Sequence, residues 1–130
     1  MAKAVDTLVV IVPGGAATRN MIDAKVLEAL GPDGILVNVA RGSVVDEAAL
    51  IEALKQRKIF AAGLDVFVNE PEVPAELLAL ENAVLLPHLG SASVYTREKM
   101  DQLLVDNLLA WSRGEAPLTP VPETPWQAWR

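Results

Sequence analysis

The sequence predicts an α/β fold on a parallel sheet of about four strands, doubly wound or half of one. Two observations carry this. Short apolar runs alternate with segments of helical period, as βαβ units require. The runs also lack the in–out alternation of a half-exposed strand, which suits strands covered on both faces. Parallel neighbours joined in this way almost always use right-handed crossovers.

Taken in order, Thr7–Val12 (TLVVIV) reads as the first strand, ended by Pro13-Gly14-Gly15. Met21–Leu30 carries Met21, Ile22, Val26, Leu27 and Leu30 at roughly helical spacing, with Asp23 in the first turn and Gly31-Pro32 as a stop. Ile35–Ala40 is the second strand and Asp46–Gln56 the second helix, its apolar face formed by Leu50, Ile51 and Leu54. Ala61–Phe67 is the third strand, followed by a polar loop with Glu70-Pro71 and a short helix over Pro74–Leu80. Ala83–Leu86 is the fourth strand, closed by Pro87-His88. A longer amphipathic helix over Val94–Arg113 places Met100, Leu103, Leu104, Leu108 and Trp111 on one side and stops at Gly114. Residues 115–130 are proline-rich and read as an extended tail, held only where Trp126 or Trp129 finds a partner. Residues 1–114 are thereby one sheet-based domain with a C-terminal helix.

Composition narrows the function classes. The 130 residues are 52% hydrophobic and 22% charged, which is globular rather than disordered. A net charge of −6 and a pI near 4.7 exclude the basic stripe of a nucleic-acid binder. No cysteine and a single histidine argue against a metal site. No apolar run is long enough to span a bilayer, and the N-terminus has no secretory pattern, so no membrane partner and a cytoplasmic location are the expectation.

Chemistry concentrates in Asn38–Glu47 (NVARGSVVDE), where an apolar strand stops at a polar segment. Arg41 lies at the carboxyl end of that strand, where open α/β sheets bind ligands. Its guanidinium suits a planar carboxylate held by two parallel hydrogen bonds. Glu70 and His88 lie at the corresponding ends of the next two strands, and a parallel sheet brings such ends together. A carboxylate beside an imidazole favours the protonated ring and fixes its orientation, as a general acid needs. With Arg41 on a neighbouring carboxylate, the natural substrate is a 2-keto or 2-hydroxy acid, and the hydride must come from a cofactor. Glu70 alone says little, and Arg41, His88 and the strand-end Asp65 each have a plainer reading. Arg41 can pair with Asp46 or Glu47, His88 can bond a backbone carbonyl near Pro87, and Asp65 can simply cap a loop. Gly14-Gly15 reads better as a tight turn than as a phosphate cradle.

The segments VARGSVVDEAAL, GLDVFVNEP and LLPHLGSAS resemble the D-isomer-specific 2-hydroxyacid dehydrogenases, and are most similar to the hydroxypyruvate and glyoxylate reductases. The resemblance runs from about Val5 to about Pro122. It implies the second half of a Rossmann-like NAD(P)-binding domain. It also implies Arg41 as the substrate-carboxylate ligand and Glu70 with His88 as the acid/base pair. Asp65 would face the nicotinamide carboxamide, and Val39, Ala40, Arg41, His88 and Gly90 would line the cofactor. Where family members carry a threonine against the cofactor ribose, this chain has Gly15. Their G-x-G-x-x-G turn, the residue separating NAD from NADP and a separate substrate domain find no counterpart here. The chain resembles the C-terminal part of such an enzyme and is expected to be inactive alone. The alternative is a non-catalytic half-domain that self-associates, at least as a dimer, through an unpaired edge of the first strand.

Overall fold

The computed structural model describes residues 1–127. The chain divides into two compact units, Met1–Gly90 and the part from Ser91 onward, so the long helix groups with the tail.

The first unit is a four-stranded parallel sheet: β1 (Thr7–Val10), β2 (Ile35–Asn38), β3 (Ala61–Leu64) and β4 (Ala83–Leu85). The spatial order is β1-β2-β3-β4, the same as the sequence order. Connecting helices are α1 (Ala24–Leu30), α2 (Glu47–Lys55) and the single turn α3 (Ala75–Leu78). All three crossovers step in the same direction, so right-handedness puts all three helices on one face. The sheet is thus one winding, the half alternative of the sequence reading.

Burial follows from this one-sided arrangement. The registered row Leu8, Leu36, Ala62 and Ala83 and the row Val10, Asn38, Leu64 and Leu85 face the helices. Against them pack Leu27 and Leu30 of α1, Leu50 and Leu54 of α2, Leu77 of α3, and Ile59. The opposite row, Val9, Val37, Gly63 and Val84, departs from the expected two-sided coverage: Val9 is 52% and Val84 66% exposed. Uniformly apolar strands thus lie in a sheet with only one face packed within this unit.

Element ends differ from the sequence reading for local reasons. β1 and β2 stop at Val10 and Asn38 rather than Val12 and Ala40, and β3 stops at Leu64 rather than Phe67. The apolar residues beyond line loops at the strand mouths instead of extending the ladder. α1 starts at Ala24, not Met21, because Asp23 is its N-cap and accepts from the Lys25 and Val26 N–H groups, both at 3.0 Å. Ile22 is buried through a bridge to Val45 rather than as a helical residue, and Met21 is exposed. Asp46 likewise caps α2 by accepting the Ala49 N–H. Ile51 is only partly buried, and Ala53 takes its expected place beside Leu50 and Leu54.

In the second unit, α4 runs over Val94–Ser112 and ends at Gly114, whose φ of 74° is the left-handed conformation that favours glycine. Met100, Leu103, Leu104, Leu108 and Trp111 are exposed, and Ala110 is the buried residue of this helix. The tail is held at Thr119, whose N–H donates to Asn107 Oδ1 at 3.1 Å, which corrects the expectation that tryptophan contacts alone would hold it. Trp126 is half-buried, and Trp129 lies outside the described residues. Among the described residues no helix is long and apolar enough to cross a membrane.

The one-sided core predicts an asymmetric response to substitution. Leu36→Ala, at a fully buried position, should cost about 2–5 kcal/mol. Val84→Thr, on the open face and still β-branched, should stay within about 0.5 kcal/mol. Urea denaturation of both variants checks this, and equal losses would contradict the layer assignment.

Candidate active site

The loops following β2, β3 and β4 carry Arg41, Glu70 and His88, and β3 lies between its two neighbours. With strands about 4.8 Å apart, the mouths of β2 and β4 are about 10 Å apart, with the β3 loop between them.

The end of β2 is shaped by Asn38. This side chain is buried on the core-facing row, where an unsatisfied amide would be costly. Its Oδ1 accepts the Ala40 N–H and its Nδ2 donates to the Arg41 carbonyl, both at 3.1 Å. These bonds turn the backbone sharply and bring the exposed Arg41 side chain to the surface. Arg41 Nη1 donates to the Ala40 carbonyl at 2.6 Å. The alternative pairing with Asp46 or Glu47 is not what the structure shows: Asp46 caps α2, and Glu47 accepts the Val68 N–H.

Glu70 and His88 do meet. His88 Nδ1 lies 2.6 Å from Glu70 Oε2, with side chains 44% and 33% exposed. Glu70 Oε1 accepts the Phe67 N–H at 2.9 Å, so both carboxylate oxygens are engaged. The imidazole therefore pairs with a carboxylate rather than with a carbonyl near Pro87. The Glu70 carboxyl is held below the usual value of 4.5, first by its hydrogen bond with His88, then by the Phe67 N–H, and further by the charges of His88 and Arg41. Partial burial opposes these causes.

The His88 backbone has φ of 53°, a left-handed conformation that side-chain-bearing residues adopt at a cost. Asp65 supports it. This buried carboxylate accepts the Leu89 N–H at 2.6 Å and the Gly90 N–H at 2.7 Å, fixing the two peptides directly after the histidine. Asp65 thus caps the loop after β4.

Two hollows adjoin these residues. An apolar recess of about 320 Å³ lies against the Glu70–His88 pair, walled by Phe67, Pro71, Val73 and Leu85 among others. A more polar crevice of about 730 Å³ opens at the ends of β1 and β2, walled by Ile11–Gly15, Val39–Arg41 and Ser43. Val39 and Ala40 thus stand together with Arg41 at one hollow, whereas Asp65, at the end of β3, is bonded to the loop after β4 that carries His88 and Gly90.

Comparison with known proteins places this geometry in a family. The model of the D-isomer specific 2-hydroxyacid dehydrogenase NAD binding domain matches residues 1–90. The chain belongs to that family. A 2-ketogluconate reductase of Gluconobacter oxydans is 53% identical over 116 residues, which is 89% of this chain and 37% of that protein. A glyoxylate/hydroxypyruvate reductase of Arabidopsis thaliana is 50% identical over 93% of this chain and 39% of its own length. Among solved structures, an NADPH-dependent glyoxylate/hydroxypyruvate reductase from Sinorhizobium meliloti, in complex with NADP and malonate, superposes with a TM-score of 0.93. It is 61% identical, and the match covers 99% of this chain and 40% of that one. The chain therefore spans about two fifths of the length of these 2-hydroxyacid dehydrogenase relatives.

NAD(P) is the cofactor class of this family domain. The residues present suit one end of that cofactor. Gly15 leaves the β1 mouth open, since a Cβ there would meet nothing within 4 Å. The crevice beside it offers backbone groups and Ser43, a lining suited to a ribose and a carboxamide. No glycine-rich spacing for the pyrophosphate occurs in the sequence.

Sequence reasoning assigned no role to Asn38 or Gly42, and offered Glu47 only as a partner for Arg41, although all three shape these loops. For Asn38 a signal existed: a polar residue stands where strand periodicity demands a core position. The bonds of Glu47 and the contact of Gly42 are long-range and left no local trace.

The lowered Glu70 value has a definite sign. The folded carboxyl titrates below its unfolded value, so it stabilises the fold above 4.5 and loses that contribution as the pH falls through the lowered folded value. Urea unfolding of the wild type and Glu70→Gln across the acid range should show a stability difference that shrinks below pH 4.5. A difference independent of pH would contradict the ionised pair.

Proposed function

We propose that this domain is the proton-handling and cofactor-facing part of an NAD(P)H-dependent reductase of small 2-keto acids, of the hydroxypyruvate or glyoxylate type. The observation that carries the reading is the 2.6 Å contact between His88 and Glu70, together with an exposed arginine on the β2 loop whose charge also acts on Glu70. Arg41 binds the substrate carboxylate through its planar donor fork. His88 donates a proton to the keto oxygen, and Glu70 fixes the ring and remains the anion. Asp65 holds the loop on which His88 sits. Val39 and Ala40 line the cofactor beside Arg41, with Gly90 at the far loop. A bound nicotinamide supplies the hydride. The names of the relatives support this substrate class.

The test is a fusion of this chain to the preceding segment of the Sinorhizobium meliloti relative, assayed for NADH and NADPH oxidation with hydroxypyruvate and glyoxylate. The wild-type chain should support turnover in the fusion and show none alone. Arg41→Ala should raise KM and lower kcat, and His88→Asn should remove about 10²–10⁴-fold of kcat. Unchanged kinetics in both variants would refute the assignment.

For the chain by itself we also infer self-association. Among the described residues β1 pairs on one side only, and Val9, Ile11 and Val84 are exposed on or beside the open face. An unpaired apolar edge of this kind invites pairing with a second copy. Light scattering should give at least a dimer, and a monomeric mass across a wide concentration range would refute this.

A further inference from the structure

The loop that carries Glu70 is gripped from outside by two residues with no part in the reading above. Glu47 opens α2, and its Oε2 accepts the Val68 N–H at 3.2 Å. Gly42, one position after Arg41, lies flat against the Phe67–Val68 peptide. A Cβ on Gly42 would stand 2.0 Å from Phe67 C, 2.1 Å from Phe67 O and 2.4 Å from Val68 N. These are backbone atoms, which cannot swing aside as the end of a long side chain does. Glycine is needed here for close approach. The same stretch supplies the Phe67 N–H that binds Glu70 Oε1. Two consecutive amides are therefore held by two carboxylates, Phe67 by Glu70 and Val68 by Glu47, while Gly42 presses on the peptide between them.

We propose that Glu47 and Gly42 are positioning residues: they lock the Phe67–Glu70 loop against the Arg41 loop and so set where Glu70 meets His88. The contacts stand on their own, and their meaning for catalysis rests on the acid/base reading of Glu70 and His88. The lock joins two βα loops through backbone atoms on one side and a charged acceptor on the other. A loop freed from it would leave the Val68 amide to water, since Val68 is already exposed. Loss of Glu47 should therefore loosen the loop without unfolding the chain.

The charged groups around Glu70 give the test a clean sign. His88 and Arg41 both lower its carboxyl, while Asp65 at the β3 end and Glu47 on α2 are anions. Removing the Glu47 charge alone would leave the Glu70 titration where it is or move it down. Releasing the loop weakens the Phe67 and His88 hydrogen bonds and moves it up. Carboxyl ¹³C NMR titrations of Glu70 in the full chain separate the two effects. Glu47→Ala should move the Glu70 midpoint up toward 4.5. Glu47→Gln keeps an oxygen acceptor, so it should stay at or below the wild-type midpoint. A Glu47→Ala midpoint at or below wild type would overturn the proposal. In the unmodified chain, the Val68 amide proton should follow the Glu47 titration, and an indifferent amide would overturn it too. Failure of the acid/base reading would look different: His88→Asn would stay active in the fusion while the Glu47→Ala shift persisted.

Discussion

Because β3 lies between β2 and β4, the loop after it must pass between the two loops that carry Arg41 and His88. It can do so at this spacing only because Gly42 has no side chain to hold the Phe67–Val68 peptide away. The rest of the site depends on that passage. Glu70 reaches sideways to His88, Asp65 reaches forward to the Leu89 and Gly90 amides, and both start from the mouth of the same strand. β3 is well suited to this central place. Its core-facing residues Ala62 and Leu64 are buried, and both of its edges are taken by hydrogen-bonded neighbours.

The strands and helices were legible because their patterns are local. Leu27 and Leu30, and Leu50 and Leu54, fall on helix faces that can be read from spacing, and all four are buried. The ends were less legible. Ile11, Val12, Val39 and Ala40 continue the strands in composition but wall the crevice at the strand mouths. The early start assigned to α1 shows the same limit: Met21 and Ile22 fit the helical period, but Asp23 ties down the first amides and defines the start. The coverage of the sheet was misread for a different reason. An apolar strand records that both faces are suited to burial, and it does not record whether the covering elements lie within the same unit.

The site was legible at the level of which residues stand at strand ends. Arg41, Glu70 and His88 follow consecutive neighbouring strands, and a parallel sheet in sequence order sets their three loops side by side without further information. Less legible was what holds them: loop capping by Asp65 could be foreseen but not its partners, because the Asp65 and Glu47 supports are bonds between a side chain and a distant backbone group. Asp65 to Leu89 spans 24 residues and Glu47 to Val68 spans 21. Such contacts show no period in the sequence: at one end stands an acid like any other, and at the other a backbone amide that carries no residue signature.

Asp65 and Glu70 divide two tasks between them through their surroundings. Asp65 is buried and spends its two oxygens on backbone amides, which suits a carboxylate that must stay fixed as loops settle. Glu70 is partly exposed, gives one oxygen to the Phe67 amide and the other to the imidazole, and so couples a fixed loop to a group that can exchange protons. Arg41 adds a smaller influence on Glu70 than the two hydrogen bonds do. Under the proposed reading, a substrate carboxylate docking on Arg41 offsets part of that smaller influence and leaves the larger ones in place. Glu70 then keeps its lowered carboxyl with substrate present, and remains the acceptor that orients the His88 ring.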